Sequence, residues 1–464
     1  MRIVWSWAVA AAALVLLGGG AQAGPDRSVL LILADDFGVD AAAFYPTSAD
    51  RRATKPPASP TPNLANLAKR GVLFRRAWAM PWCSPSRVSL FTGRYPFRTG
   101  VGDPLPKDYS PSPGLQESEF GLPEAFQRAG KGHRLAHIGK WHMSRGQDLN
   151  ADDEPNRQGW PYYAGPDPDL ALLPSYFRWP RTVNGVTAWS TTYATTAEVD
   201  EAIRFIRGAK SSGKPYFLWL ALSAPHAPYE KPPNNLHSKD SLPKTGAPRR
   251  AYYEAMIEAM DTELGRLLKE VSLADTTVIF LGDNGTPAEV TASPYSAKQA
   301  KGTPYEGGVR VPLLVAGAGV VAPNRMVERI VSVVDLYPTI LKLAGIEPQA
   351  VLPAGTVLDG VSLVPYLQNR LSPALRSFVY AEEFPDCFNR GYERAIASCC
   401  YKLIRRADGS RVFYDLKVDP YESRNLLSTR LNATQQSNLA TLTAQMDGLL
   451  AGATPPAQCA AAAP

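Results

Sequence analysis

A chain of 464 residues with 45% hydrophobic content can bury a large core and is too long for most single cores, so one large domain with a smaller one is expected. Charged residues make up 20%, which excludes wholesale disorder. The net charge of +6 comes from scattered basic residues with no long Lys/Arg block, which excludes a nucleic-acid footprint and suits an anionic substrate.

In chain order, Arg2 precedes an apolar stretch, Ile3 to Leu17, and then Gly18-Gly19-Gly20-Ala21-Gln22-Ala23. That is the order of a secretory signal peptide with an A-x-A cleavage site. Residues 1–23 are therefore expected to be removed, leaving Gly24 first in a periplasmic or extracellular protein. The apolar run is short for a membrane span and ends in glycines, so no stable membrane insertion is expected after cleavage.

The run Val29–Leu33 reads as a buried strand ending at Asp35-Asp36. Thr61-Pro62, followed by Leu64, Leu67 and Gly71, predicts a helix with an N-cap, an early Pro and a terminal Gly. Cys83-Ser84-Pro85 opens a second helix, with Ser84 as cap, that Gly93 closes. The strand Leu135–Ile138 runs into Gly139-Lys140-Trp141-His142. After a predicted helix over Ala197–Ala209, the strand Tyr216–Leu222 leads to Pro225-His226. A helix over Tyr252–Glu270 precedes the strand Val278–Leu281, which ends at Asp283-Asn284-Gly285, and Leu313–Val315 is a further strand. This alternation predicts an α/β fold, a large, mostly parallel (mixed) sheet flanked by helices. Pro-rich stretches Thr47–Pro62, Asp103–Gly114 and Glu230–Arg250 read as surface loops. Asp148–Thr196, rich in Trp, Tyr and Pro, reads as a packed insertion, with a substrate platform as the alternative. From Ser377 the pattern changes to short runs, Phe378–Ala381, Tyr401–Ile404 and Val412–Asp415, a smaller antiparallel sheet with a helix over Ala433–Leu450. The expected organisation is a catalytic domain over 24–370, a C-terminal subdomain over 371–452 and a mobile tail over 453–464. Asn432-Ala433-Thr434 also matches the glycosylation triplet.

Four strands thus end in polar groups, and in an open parallel sheet the carboxyl ends of the strands share one edge, where ligands bind. Asp35, Asp36, Asp283 and Asn284 are oxygen donors, and neighbouring buried carboxylates repel unless a cation or proton sits between them. Oxygen ligation selects a hard ion, Ca²⁺ or Mg²⁺, and a chain with five His is poorly supplied for zinc. Cys83 at a helix N-terminus reads as a low-pKa thiol.

Cys83-Ser84-Pro85-Ser86-Arg87 followed by Thr92-Gly93-Arg94 resembles the signature of the type I sulfatases of the alkaline phosphatase superfamily, with Phe91 where that signature usually has Leu. Gly139-Lys140-Trp141-His142 is similar to the family's second signature. Tyr414-Asp415-Leu416 and Asp419-Pro420-Tyr421-Glu422 with Asn425-Leu426 resemble its C-terminal subdomain. The resemblance implies a sulfuric ester hydrolase, arylsulfatase-like, in which a formylglycine-generating enzyme has converted Cys83 to formylglycine. It implies Ca²⁺ on Asp35, Asp36, Asp283, Asn284 and the modified Cys83, with Arg87 holding the formylglycine. Lys140 and Lys301 would bind sulfate oxygens, with Lys298 the alternative to Lys301. His142 would help break down the sulfo-enzyme and His226 would assist the leaving group. The substrate would be a sulfated small molecule or glycan. A phosphate or phosphonate monoester hydrolase of the same superfamily is the rival reading, though such relatives usually pair the second metal Asp with His where this chain has Asn284. If Cys83 stays a thiol, a non-catalytic binder of sulfated ligands remains. His133, His137 and His237 lack such a context. Among Cys387, Cys399, Cys400 and Cys459, one or two disulfides are expected, with adjacent Cys399 and Cys400 seeking separate partners.

Overall fold

The computed structural model describes residues 27–45, 58–105, 114–144, 151–168, 170–384 and 391–451. The signal segment 1–23, Cys387, Cys459 and the tail 453–464 lie outside the described residues, as do parts of the loops Thr47–Pro62 and Asp103–Gly114 and of the stretch Asp148–Thr196.

Ten strands form one mixed sheet: β1 (Ser28–Ala34), β2 (Gly71–Trp78), β3 (Arg134–Gly139), β4 (Tyr163–Pro166), β5 (Trp179–Val183), β6 (Val186–Ser190), β7 (Tyr216–Leu222), β8 (Thr276–Gly282), β9 (Arg310–Gly317) and β10 (Arg325–Ser332). Their order is β10-β2-β9-β8-β1-β7-β3-β4-β5-β6. The central strands β8, β1, β7, β3 and β4 run parallel to one another. β9 and the β5–β6 hairpin supply the antiparallel pairings. A separate antiparallel sheet follows, β11 (Val379–Glu383), β12 (Glu393–Ala397), β13 (Tyr401–Arg406) and β14 (Arg411–Asp415), with the helix Ala433–Leu450 against β13.

The central strands read as unbroken apolar runs because both faces of the sheet are covered. In β1, Val29, Leu31 and Leu33 enter one core layer and Leu30, Ile32 and Ala34 the other. Each such fully buried Leu, Ile or Val stabilises the fold by about 1.5–3 kcal/mol. Helices Ala194–Ser211 and Arg249–Leu268 close one face. The helices Cys83–Thr92 and Leu336–Leu343 and the C-terminal sheet close the other. Strands β2 and β10 escape a reading of apolar runs because Arg75-Arg76 and Glu328-Arg329 interrupt them. Both strands carry a register shift at those positions, and Arg75 Nε lies 3.1 Å from Glu328 Oε1.

One sequence expectation changes. Cys399 and Cys400 are bonded to each other, not to separate partners. They share the tight connection between β12 and β13, which sets both sulfurs side by side before any distant cysteine is reached. Asn432 of the glycosylation triplet is exposed and caps the last helix: its side chain accepts from Gln435 N at 2.9 Å, and the Gln435 side chain accepts from Asn432 N at 2.9 Å.

The C-terminal sheet is tied to the large one by a buried ion cluster. Lys402 Nζ on β13 lies 3.2 Å from Glu306 Oε1 and 2.9 Å from Glu422 Oε1, over the Trp78 ring at 4.6 Å. Burial pushes the Glu422 carboxyl up to about 7, against the pull of Lys402. Lys402→Met should leave the two carboxylates facing each other without a cation, a loss of about 3–5 kcal/mol for a buried pair broken on one side. A lowered melting temperature in calorimetry is the expected reading; an unchanged one would contradict the role given to Lys402.

Candidate active site

Four parallel strands deliver their last residues to one edge. Asp35 and Asp36 follow β1, Lys140 and His142 follow β3, Ser223 to His226 follow β7, and Asp283 and Asn284 follow β8. Two of these turns are left-handed at non-glycine residues, Asp36 at φ 66° and His142 at φ 54°. Conformations of that kind cost of order 1–3 kcal/mol and persist where the surroundings fix them. Asp36 is held by its own N–H to Asp283 Oδ1 (3.0 Å) and by Tyr253 OH to its carbonyl (2.7 Å). Gly139 admits no side chain, since a Cβ there would lie 1.9 Å from the Ala221 carbonyl oxygen of β7.

Cys83 opens the helix Cys83–Thr92, all ten residues of which are buried. The N-cap is Trp82, in extended conformation, not Ser84, whose hydroxyl accepts instead from Leu105 N at 3.1 Å. Gly93 closes the helix at φ 70° as expected. Cys83 is 1% exposed, and burial raises its thiol pKa although Lys140 and Lys301 pull it down. The expected low-pKa thiol is thus corrected: loss of water outweighs the two lysines.

Cys83 Sγ lies 3.1 Å from His142 Nδ1, and His142 Nε2 lies 3.0 Å from the Leu105 carbonyl oxygen. A carbonyl only accepts, so the proton belongs on Nε2 and the Nδ1 lone pair faces Cys83. Burial, with Lys140 and Arg87 nearby, holds the His142 pKa well below its ordinary value, so the ring is neutral.

Around this pair, three cations meet three carboxylates. Lys140 Nζ lies 2.5 Å from Asp35 Oδ2, and Lys301 Nζ contacts Asp36 Oδ1. Arg87 donates to Asp283 Oδ2 (2.8 Å) and to the Lys140 carbonyl (2.7 Å), with Asp35 at 3.5 Å. Burial opposes the charge on Asp35, but Lys140, His226, Arg87 and Lys301 overcome it and keep the carboxyl ionised. Burial and neighbouring Asp35 push Asp283 up to about 7. Asn284 Nδ2 donates to Asp36 Oδ1 at 2.8 Å.

Two oxygens in this nest, Asp35 Oδ1 and Asn284 Oδ1, are buried without a hydrogen-bond partner. Leaving such atoms bare costs about 1–3 kcal/mol each, and a hard cation between them removes that cost. His226 joins the nest: ligand atoms of Asp35, Asp36 and His226 lie within 4.8 Å of one another, with His226 Nε2 3.5 Å from Asp36 Oδ2. The Ala227 carbonyl, 2.8 Å from Nδ1, fixes the ring. All ten sequence-predicted residues, Asp35, Asp36, Cys83, Arg87, Lys140, His142, His226, Asp283, Asn284 and Lys301, are therefore brought together. Lys298 is exposed, and Lys301 is the lysine in the nest. His137 is a core residue, packed among Trp141, Trp160, Tyr163 and Trp219.

The Sulfatase family model matches residues 27–346. The chain belongs to the sulfatase family. A second family model, described as N-sulphoglucosamine sulphohydrolase, C-terminal, matches residues 300–449 of this sulfatase. N-acetylgalactosamine-6-sulfatase from Homo sapiens is 30% identical over 387 residues, 76% of this chain and 68% of the relative. The ulvan-active sulfatase of Formosa agariphila is 28% identical over 82% of this chain and 74% of its own length. Among solved structures, Ps i-CgsB in complex with k-i-k-neocarrahexaose is similar with a TM-score of 0.77 at 25% identity, covering 93% of this chain and 94% of that one. The family hydrolyses sulfate esters, and the two sheets of this sulfatase are the alkaline phosphatase-like fold of those relatives. Among the described residues no helix is long and apolar enough to cross a membrane.

Sequence reasoning missed the groups that fix the site from behind. These are the Leu105 carbonyl, Tyr253, Trp82, and Glu198, which accepts from Ser223 Oγ at 2.6 Å. They lie far from the motifs in sequence, and only the position of Trp82 beside Cys83 offered a signal.

Proposed function

We propose that the protein hydrolyses sulfate monoesters of a glycan in an exported compartment, using a formylglycine made from Cys83 and a divalent cation, Ca²⁺ or Mg²⁺. Residues 24–370 would carry the catalysis and 371–452 the C-terminal subdomain. The observation that carries the reading is the side chain at position 83, buried beside a neutral histidine among three cations. The cation would be held by Asp35, Asp36, Asp283 and Asn284, among which the unpartnered Asp35 Oδ1 and Asn284 Oδ1 fit it, together with the group at position 83. When present, formylglycine supplies two geminal hydroxyls and the cation supplies charge that favours an ionised one.

The chain's own groups do the rest. His142 Nδ1, with its lone pair aimed at position 83, takes a proton from a hydroxyl there. Lys140 and Lys301, which otherwise contact Asp35 and Asp36, offer their ammonium groups to the charge on a transferring sulfuryl group. Arg87, fully buried, holds Asp283 and the Lys140 backbone in place. His226 at the outer side gives a proton to the departing alkoxide. Burial outweighs Asp36 and holds the His226 pKa below the ordinary value, and Nδ1 donates to the Ala227 carbonyl, so the proton it gives would be one taken up on Nε2 beside Asp36. The glycan as substrate class is supported by the carbohydrate sulfatases among the relatives.

Chelation should abolish turnover of a sulfate ester, and Ca²⁺ should restore it better than Zn²⁺, measured by sulfate release. Full activity in verified metal-free protein would sink the cation assignment. Mass spectrometry of the Cys83 peptide from the native host should find the aldehyde or its hydrate. An unmodified thiol in fully active protein would refute the nucleophile, and in inactive protein it would favour a sulfated-ligand binder.

A further inference from the structure

Beyond the catalytic groups, the same sheet edge continues across three more strands. β4 ends at Pro166, β5 begins at Trp179, and β6 ends at Ser190. Pro166 pairs with Arg181, and Trp189 pairs with Pro180, so Trp189 lies level with the end of β4, close to the level of Lys140. The lateral distance from β3 to β6 is three strand spacings, roughly 14 Å. The loop from β4 to β5 leaves the catalytic cleft itself: Leu170, Ala171, Leu173 and Tyr176 line a small cavity with Asp35, Lys140 and His226. It is anchored there, with Tyr176 N donating to Glu230 Oε2 at 2.6 Å and Tyr176 OH to the Ser223 carbonyl at 2.6 Å.

Along this edge the surface turns apolar. Leu172 is 47% exposed, Phe177 39% and Trp189 58%. The Arg178 guanidinium lies 4.4 Å from the Trp189 ring centroid, and among the described residues it makes no hydrogen bond or ion pair. An exposed aromatic ring carrying a cation that is unpaired among the described residues matches a sugar that has an apolar ring face and anionic substituents. A protein partner would need neither the free guanidinium nor continuity with the catalytic cleft.

We propose that Trp189 and Arg178, at the same sheet edge as the cleft, form a binding surface for neighbouring residues of a sulfated glycan chain, with Arg178 on a second anionic group. The inference rests on the glycan sulfatase reading and extends it from a single sulfated sugar to an anionic oligosaccharide. Both key side chains are exposed, so Trp189→Ala and Arg178→Gln should fold as the parent does.

The test compares the cation-loaded enzyme with these variants on 4-nitrophenyl sulfate and on hexasaccharides of sulfated galactan and chondroitin sulfate. For a hexasaccharide that is turned over, each variant should raise KM about tenfold with kcat nearly unchanged, the mark of lost binding common to ground and transition states. Both parameters for 4-nitrophenyl sulfate should stay at parent values. The effect of Arg178→Gln should shrink in about 1 M salt, where screening is strong. Unchanged hexasaccharide kinetics, or equal losses on both substrate types, overturns the proposal. So does a parent enzyme that turns over 4-nitrophenyl sulfate and none of the hexasaccharides. A dimer in sedimentation that Trp189→Ala dissociates would assign the surface to a second copy and overturn it too. A parent inactive on every sulfate ester would strike at the catalytic reading itself and take this inference with it.

Discussion

Cys83→Ser is expected to abolish steady-state turnover and to leave, after at most one cycle, a covalent sulfate ester on the serine. The substituted side chain occupies the same buried place, 3.1 Å from His142 Nδ1 in the parent, so a hydroxyl there can still be deprotonated and attack sulfur. Lys140, Lys301 and the carboxylate nest are untouched. Serine has one hydroxyl, however, and the carbon bearing the sulfate then has no second oxygen whose deprotonation could expel it. Water clearing the ester would have to enter a site in which Cys83 is 1% exposed. Burst size with a chromogenic aryl sulfate, together with intact protein mass, decides the matter. Sustained turnover by a serine shown to be unmodified would rule out a mechanism that needs two geminal hydroxyls.

Asp283→Ala should remove activity and stability together. Asp283 joins two halves of the site: one oxygen accepts from Asp36 N and the other from Arg87. Without it, the fully buried Arg87 keeps only Asp35, at 3.5 Å, as a carboxylate partner. Breaking a buried pair on one side costs about 3–5 kcal/mol. One proposed cation ligand is lost as well, so added Ca²⁺ should not rescue turnover. Thermal unfolding and calcium titration of the variant test both halves. A variant as stable as the parent would show that Arg87 does not depend on Asp283.

The sequence made the catalytic edge legible because its chemistry sits where continuous apolar runs stop. Val29–Leu33, Tyr216–Leu222 and Val278–Leu281 are covered on both faces, so burial shows directly in composition. Strands with charged interruptions, β2 and β10, and the hairpin β5–β6, with Pro180 and an exposed outer strand, carry no such signal. Residue types in the site were readable through their motifs, but their electrostatics were not. A helix terminus is visible in a sequence, whereas the burial that raises the Cys83 pKa is created by the folded surroundings. The Leu105 carbonyl that sets the His142 tautomer could not have been found, because a backbone oxygen has no residue type.

If Cys83 is converted to formylglycine, the burial of the Cys83–Thr92 helix would also fix an order of events in the life of the chain. Every residue of that helix is enclosed, and its first side chain faces a cleft packed with ion pairs. A maturation enzyme has to wrap its own active site around the thiol it oxidises, and the finished fold presents nothing to wrap. Under the formylglycine reading, oxidation of Cys83 would therefore belong to the interval between synthesis and closure. Offering the maturation enzyme native and unfolded chain side by side should yield conversion only of the unfolded one. On that reading, chains that fold first would stay thiols, and the fraction of active molecules in a preparation would be set by a race during biosynthesis that nothing done to the folded protein could rerun.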